Sequence, residues 1–529
     1  MPGSATVTPT MSGPPPTAAA AGSERLTPQR VFAFLIMVFG MFMSILDIQV
    51  VSASLSEIQA GLSASSNELS WVQTAYLIAE VIAIPLSGFM SRALGTRYLF
   101  ATSAAGFTAA SLMCGLTSSI EQMILWRAIQ GFLGAGMITT VFASAYTVFP
   151  RSKMYMVAPV IGLVATLAPT VGPTIGGYLT EVLSWHWLFF INVLPGIGIT
   201  IGALALVDFD KPNLGLLDHF DWVGLASMAG FLGALEYVLE EGPQYDWLED
   251  TSVATSAVIC GLSAIVFFYR VLTAKEPIVD IRAFKNKNFA FGCMFSFCLG
   301  IGLYGLTYVY PRYLAEIRGY SAMMIGETMF ISGIVMLLTA PLAGRMMQKV
   351  DTRLTISLGL VLFAMGTWQM TWITIDYDFW ELLPPQVFRG CGMMMAMVPV
   401  NDIALGTLPP SLLKNASGLF NLTRNLGGAV GLALINTVLN RRTDLHISRL
   451  QDNVNWGNTT AVETLNMLTE KYQGMGDATT MALKQLSLIV HRQASVMSYA
   501  DVFLILTILY LALSMLAFIV DKPNTASPR

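Results

Sequence analysis

Charge is scarce in this chain. Only 12% of its 529 residues are Asp, Glu, Lys or Arg, about half the share usual in soluble domains. With 54% hydrophobic residues and a mean hydropathy of +0.61, it reads as an all-α polytopic membrane protein. The net charge of −4 has both signs interspersed, which leaves no basic patch for nucleic acid. No lysine is followed by Ser or Thr, so a phosphate-cradling Walker A loop is absent and ATP hydrolysis by this chain is excluded. Histidines are few and scattered (His186, His219, His446, His491), which argues against a metal site or a Ser-His-Asp triad. The five cysteines (Cys114, Cys260, Cys293, Cys298, Cys391) fall inside apolar runs without metal-ligand spacing and read as small core residues. No enzyme activity, metal or cofactor is expected, and two unequal halves do not suggest the symmetric pore of a channel.

What is abundant is apolar sequence in lengths of about 20 residues, the length that crosses a bilayer. Fourteen such stretches occur, near 31–54, 68–90, 98–117, 121–146, 155–180, 187–207, 222–240, 252–273, 288–310, 321–342, 353–374, 382–405, 416–438 and 502–520. The first 29 residues, rich in Pro, Ala, Ser, Thr and Gly, read as a disordered cytoplasmic tail. The run from Val31 is too long for a signal-peptide core and is the first span. With the N-terminus inside, 17 of the 29 basic residues fall on the cytoplasmic side, including Arg92, Arg97, Arg151, Lys153, Arg282, Lys285, Arg345 and Arg353, whereas the short outer loops hold only Arg312 and Arg318. That bias places both termini inside.

An internal repeat is legible by eye. PLSGFMSRALGTR (Pro85–Arg97) and PLAGRMMQKVDTR (Pro341–Arg353) share Pro, Leu, Gly, Met, Thr and Arg at matching offsets, 256 residues apart. Both follow a span in the same orientation, so two parallel halves are expected, as in transporters that rock about a central site. The divisions are then a six-helix half over 30–207, two inserted helices with their loops over 208–287, a second six-helix half over 288–520 and a short cytoplasmic tail over 521–529. Residues 441–500 form an outer excursion far longer than a hairpin needs, either a docking element or a tolerated surface loop. Asn458-Thr459-Thr460 is a glycosylation sequon, too common a pattern to carry weight.

Ionisable groups within spans cost about 2.5–3.5 kcal/mol each near the bilayer centre, so each asks for a reason. Asp47 interrupts the first span and Glu80 the second; either binds and releases a proton or holds a structural pair. Glu327 and Asp402 lie within or near later spans, where snorkelling is the alternative. Arg127, followed by Gln130, Gly131, Gly134 and Gly136, carries a fixed charge on a small-residue face, and Arg424 and Arg389 do so in the second half. Arginine does not deprotonate in proteins, so these tune a neighbour or bind an anion. Gln49, Gln130, Asn192 and Glu327 are candidates to line a substrate cavity, with some of the 30 methionines supplying adaptable walls.

One span, Ile161–Gly177, carries prolines and glycines that helices usually avoid. Ala168, Gly172 and Gly176 form one row of small residues, and Pro169, Pro173 and Gly177 the row beside it. The bare face permits close backbone approach, and the prolines remove backbone hydrogen bonds and bend the helix. It reads as a packing seam or a hinge. Without an ionisable side chain it cannot itself carry a proton.

Taken in order, these motifs resemble the major facilitator superfamily, and within it the fourteen-span drug:proton antiporters of EmrB type. Leu46-Asp47 is similar to their first-span signature, although Ile48 to Ser52 departs from its usual continuation. Gly88–Arg97, with Gly95, is similar to the superfamily loop between spans 2 and 3, and Leu125-Trp126-Arg127 to the span 4 arginine motif. Ala168–Gly177, with Gly172, Pro173, Gly176 and Gly177, is similar to the antiporter motif, with Ala168 where a glycine is usual. Trp185–Val193 is similar to a further conserved segment, and the long outer excursion is shared. Arg92 stands where the loop usually has its acid, which puts the loop's charge relay in doubt here. The resemblance implies a bacterial inner-membrane exporter that exchanges hydrophobic or amphipathic drugs for protons. It also implies an EmrA-like periplasmic adaptor and a TolC-like outer-membrane channel as partners. A proton symporter for a small metabolite is the alternative transporter, and a transport-inactive receptor or scaffold the alternative of another kind.

Overall fold

The computed structural model describes residues 27–520 apart from 53, 151–152, 219, 275–276 and 475–476. The tails expected at 1–29 and 521–529 therefore lie outside the described residues, except that Pro28 and Gln29 already belong to the first helix. No strand occurs among the described residues.

The helices are α1 (Pro28–Ser52), α2 (Leu55–Leu62), α3 (Ser66–Leu94), α4 (Thr96–Gly115), α5 (Ile120–Val148) and α6 (Met154–Val182). There follow α7 (Trp187–Phe190), α8 (Val193–Leu206), α9 (Trp222–Glu241), α10 (Thr251–Thr273), α11 (Lys287–Tyr313) and α12 (Ala322–Lys349). The chain ends with α13 (Thr352–Gln369), α14 (Phe379–Gly406), α15 (Pro410–Asn453), α16 (Thr459–Lys471) and α17 (Ala478–Leu516). Every stretch expected to span is, among the described residues, helical over most of its length. Among the described residues, eleven helical segments are long and apolar enough to cross a membrane on composition alone. The three further expected spans are α4, α14 and α15. Their buried faces carry polar groups, such as Ser103 and Ser111, Arg389 and Asn401, and Asn421 and Arg424, and these lower the hydropathy of helices that are otherwise long enough.

Helix starts obey capping chemistry, because the first backbone N–H groups need acceptors. Ser65 and Glu68 form a capping box on α3, and Asp378 with Glu381 does the same on α14. Ser119, Asp221, Asp250, Asn286, Ser321 and Asp351 cap α5, α9, α10, α11, α12 and α13. The two repeat segments adopt the same local structure: each carries its proline inside a long helix (Pro85 in α3, Pro341 in α12) and turns into the next helix at its Thr-Arg pair.

Two elements differ from the sequence expectation. The span expected over 187–207 is interrupted at residues 191–192, between α7 and α8. Pro195 has no N–H to return to the Ile191 carbonyl, and the break turns Asn192 towards α1. The stretch 441–500, expected as an outer excursion, is helical over most of its length rather than a loop. At 1.5 Å per residue α15 is about 66 Å long, roughly twice the hydrocarbon thickness, so it continues well past the bilayer. Leu465 and Leu468 of α16 and Tyr472, its C-cap, recur at helical spacing and close a small apolar cluster on Ala482 and Leu486 of α17.

α6 lies between α1 and α12. A Cβ placed on Gly172 would sit 2.4 Å from Gln49 Cβ, and one on Gly176 would sit 2.6 Å from the Val50 carbonyl oxygen. On the α12 side, a Cβ on Gly326 would meet Thr174 at 2.7 Å. The expected effect of Gly176→Leu is a thermal midpoint several degrees lower, because overpacking against rigid backbone costs about 1–3 kcal/mol. Gly198→Ala on α8, where nothing lies within 4 Å, is the matched control. Equal melting of the two variants in detergent would show the α1–α6 seam to be slack.

Candidate functional site

A buried polar network is built by α1, α4, α5 and the α7–α8 junction around Asp47. Arg127 Nη1 donates to Asp47 Oδ2 at 2.6 Å, with both side chains fully buried. Asp47 Oδ1 accepts from Asn192 Nδ2 at 2.6 Å and from Gln130 Nε2 at 3.0 Å. Gln130 also donates to Ser111 Oγ at 2.6 Å and accepts from Arg127 Nη1 at 2.7 Å. Asp47, Arg127, Gln130 and Asn192, four residues singled out from sequence, thus meet in one network. Burial of an ion pair is tolerable only when hydrogen bonds satisfy the remaining atoms, and here both carboxylate oxygens are satisfied.

Arg127 is positioned from α3 as well. Its Nε donates to the Val72 carbonyl at 3.2 Å, and its guanidinium lies 4.2 Å from the centre of the Tyr76 ring. The approach depends on Gly131, where a Cβ would fall 2.3 Å from the Tyr76 carbonyl oxygen. Arg127 Nη2 has no partner among the described residues. Tyr76 and Ser111 were missed from sequence. One Ser or Tyr in an apolar span is unremarkable by itself, and only the crossing of the helices gives them roles.

The other sequence candidates divide. Glu80, 1% exposed on α3, has Arg424 and Asn425 of α15 as neighbours. Arg424 is buried, donates to Asn421 Oδ1 at 2.6 Å and lies over the Phe142 ring. Arg389 of α14 donates to Ser332 Oγ at 3.1 Å and lies over Tyr310; unlike Arg127, it makes no salt bridge among the described residues. Gln49 backs onto Gly172 in the α1–α6 seam rather than joining the Asp47 network. Glu327 is exposed, near the start of α12, and Asp402 lies near the end of α14. Pro173 and Gly177 are buried in α6.

At one end of the bundle the segment Gly88–Arg97, expected as a loop, is the end of α3 and the start of α4 turning at Gly95, and it is tied to α15. Gly88 packs against the α15 backbone, where a Cβ would lie 3.0 Å from the Lys414 carbonyl oxygen. Gly95 turns the chain at φ +81°, a left-handed value that suits glycine. Arg92 extends over the Phe89 ring, and Arg97 Nε donates to the Leu204 carbonyl at 2.8 Å. The acid missing at position 92 is supplied from elsewhere. Asp210, in the loop after α8, pairs with Lys414 Nζ, accepts from the Thr96 backbone N–H at 2.9 Å and from Thr96 Oγ1 at 3.2 Å. Lys414 also donates to the Ser91 carbonyl at 2.8 Å, and Asn213 N–H donates to the Ala93 carbonyl at 2.8 Å. A latch joining α3, the start of α4 and α15 therefore exists despite Arg92, and its carboxylate sits where the N-terminal dipole of α4 favours negative charge.

Comparison with known proteins agrees with this architecture. The Major Facilitator Superfamily profile matches residues 37–432. The chain is 42% identical to the colistin resistance protein EmrB of Acinetobacter baumannii, over 92% of this chain and 96% of that protein. It is 27% identical to the multidrug export protein EmrB of Escherichia coli K12, over 94% and 96% of the two chains. It is 28% identical to the fatty acid resistance protein FarB of Neisseria gonorrhoeae, over 91% and 94%. In fold it is similar to the human organic anion transporter MFSD10, with a TM-score of 0.57 at 13% identity, covering 92% of this chain and all of that one. The proton:xylose symporter XylE is similar too, with a TM-score of 0.56 at 12% identity, covering 91% and 94%. The chain thus belongs to the Major Facilitator Superfamily and, within it, to the EmrB-type proteins.

Proposed function

We propose that this protein is a proton-coupled antiporter of the bacterial inner membrane that exports hydrophobic and amphipathic drugs, with both termini in the cytoplasm. The observation that carries this reading is the fully buried Asp47–Arg127 pair with its Gln130 and Asn192 donors. The resistance and multidrug-export names of its relatives support the substrate class. An EmrA-like periplasmic adaptor and a TolC-like outer-membrane channel complete the export route in this reading. The protruding helices α15–α17 are the part of the chain long enough to reach such a partner.

The chemistry proceeds by differential charge. Ionised Asp47 neutralises Arg127 and accepts three hydrogen bonds. A proton arriving on Asp47 removes that negative charge and leaves the buried guanidinium with Gln130 Oε1, the Val72 carbonyl and the Tyr76 and Phe189 rings. An uncompensated buried charge is costly, so the arrangement of α1 against α5 changes in preference. Two and three residues beyond Asp47, Gln49 and Val50 of α1 seat against Gly172 and Gly176 of α6, so a shift of α1 is felt directly by α6 and, through it, by α12. The bare face of α6 transmits the change, and Asp47 carries the proton.

The test is efflux of a hydrophobic dye from vesicles containing the purified full chain, with the pH gradient imposed and then collapsed. Acceleration by an inward proton gradient is expected; efflux that is blind to the gradient overturns proton coupling. Uptake that follows the proton into the same compartment identifies a symporter instead.

A further inference from the structure

The helix inserted between the repeats carries a carboxylate that the mechanism above leaves unused. Glu236, five residues before the end of α9, is 2% exposed, and its Oε2 has no hydrogen-bond partner. Glu80 on α3 has a buried Oε1 in the same condition. The two are charge neighbours, since α9 packs along α3 and also touches α15.

Other ionisable groups around Glu236 come from each helix that packs there. On α9 itself, Glu240 lies one helical turn away and faces it, while buried Glu241 accepts from Thr74 Oγ1 of α3 at 3.3 Å. From α15 comes Arg424, which faces Glu80 and has Nε and Nη1 without partners among the described residues. From α11 comes Tyr304, a neighbour of Arg424, Glu80 and Glu236 together. Along its other side α9 packs on α10, which carries Cys260, Tyr269 and Arg270; Arg270 is held by Asp221 at the opposite end of α9. The second cation near Glu80 is Arg127, already bound to Asp47.

The charge count is unbalanced. Glu80 faces the Arg424 guanidinium, whereas the charged groups beside Glu236 are the carboxylates Glu240 and Glu80. Two like carboxylates brought together in a dry site favour sharing a proton over both ionising. Beyond Glu80 lies Tyr76, a neighbour of both Glu80 and Asp47. From the end of α9 inward, Glu241, Glu240, Glu236, Glu80, Tyr76 and Asp47 therefore form a line of polar groups through an apolar bundle.

We propose that Glu236 of the inserted helix and Glu80 form a proton-binding pair, loaded from the Glu240–Glu241 end of α9 and discharging towards Asp47. The step is a proton transfer only. A proton from water binds Glu236, passes to Glu80 and leaves Glu236 anionic again, with no bond formed or broken elsewhere. On this view α9 contributes to coupling rather than merely joining the halves. The inference rests on the proton-antiport reading.

The experiment uses the full chain in proteoliposomes, comparing the native protein with Glu236→Gln and Glu236→Asp. Two rates are measured: efflux driven by a pH gradient across a range of outer pH, and exchange of labelled for unlabelled dye without a gradient. The expected result for Glu236→Gln is a fall of tenfold or more in gradient-driven efflux and a flattened dependence on outer pH, with exchange lowered less than twofold. Glu236→Asp is expected to recover gradient-driven efflux to within threefold, with its pH dependence displaced. The proposal is overturned if Glu236→Gln keeps the native pH dependence, or if exchange falls as far as driven efflux. A native protein without gradient-driven efflux would instead overturn the antiport reading, before any Glu236 variant is compared.

Discussion

Asp47→Asn is expected to reduce gradient-driven efflux roughly a hundredfold or more and to lower the melting temperature as well. Both carboxylate oxygens of Asp47 accept hydrogen bonds, Oδ2 from Arg127 and Oδ1 from Asn192 and Gln130. An amide has only one acceptor oxygen, so in either orientation its NH2 faces a donor. The substitution also strands the Arg127 charge, and removing one member of a buried ion pair costs about 3–5 kcal/mol. Loss of stability and loss of coupling are separated by the double variant Asp47→Asn/Arg127→Gln. Replacing the whole pair by neutral groups avoids the stranded charge, so the double variant is expected to melt closer to the native protein while gradient-driven efflux stays lost. Recovery of that efflux in the double variant would remove Asp47 from the coupling role.

The second large effect is expected at the latch. Asp210 and Lys414 are about four-fifths buried as side chains, and Asp210 also holds the first N–H of α4. For Asp210→Asn the lost pairing is worth about 2 kcal/mol after discounting for its partial exposure, or roughly a thirtyfold shift in the equilibrium that parts α3 from α15. In the proposed orientation this end faces the cytoplasm. A cysteine introduced by Ser417→Cys, at a buried α15 position whose Oγ contacts the Thr139 carbonyl, reports the separation in a background without the five native cysteines. Maleimide labelling from the cytoplasmic side is expected to rise at least tenfold with Asp210→Asn. The exchanged pair Asp210→Lys/Lys414→Asp is expected to restore part of the protection. Labelling that is indifferent to Asp210 would reduce the latch to a surface contact of no mechanical consequence.

The resolution of the Arg92 problem illustrates the limit of local reading. A motif loop with arginine in place of its acid suggests a lost charge relay. In the structure the carboxylate comes from Asp210, more than a hundred positions away in the sequence, and reaches the same turn because the loop after α8 crosses beneath the α3–α4 junction. Likewise, Gln49 had the polarity of a cavity residue, yet its place two residues after Asp47 turns it into the α1–α6 seam. The excursion over 441–500 read as a loop, although it is helical over most of its length. Its mixed polarity hid the length over which α15 and α17 remain unbroken.

By itself the sequence determined the all-helical membrane class, the places of the membrane-length helices, and the residues too costly to bury without purpose. Those properties follow from the scarcity of charge and from the length of apolar runs, both of which a bilayer tests along the chain. Only the tertiary structure decided which costly groups meet. Asp47 found Arg127, Gln130 and Asn192; Glu80 found Arg424 and Glu236; Arg389 found a serine and a tyrosine ring. Such pairings depend on helix rotation and on glycine-permitted approaches between segments up to hundreds of residues apart, and no local pattern in the chain encodes them.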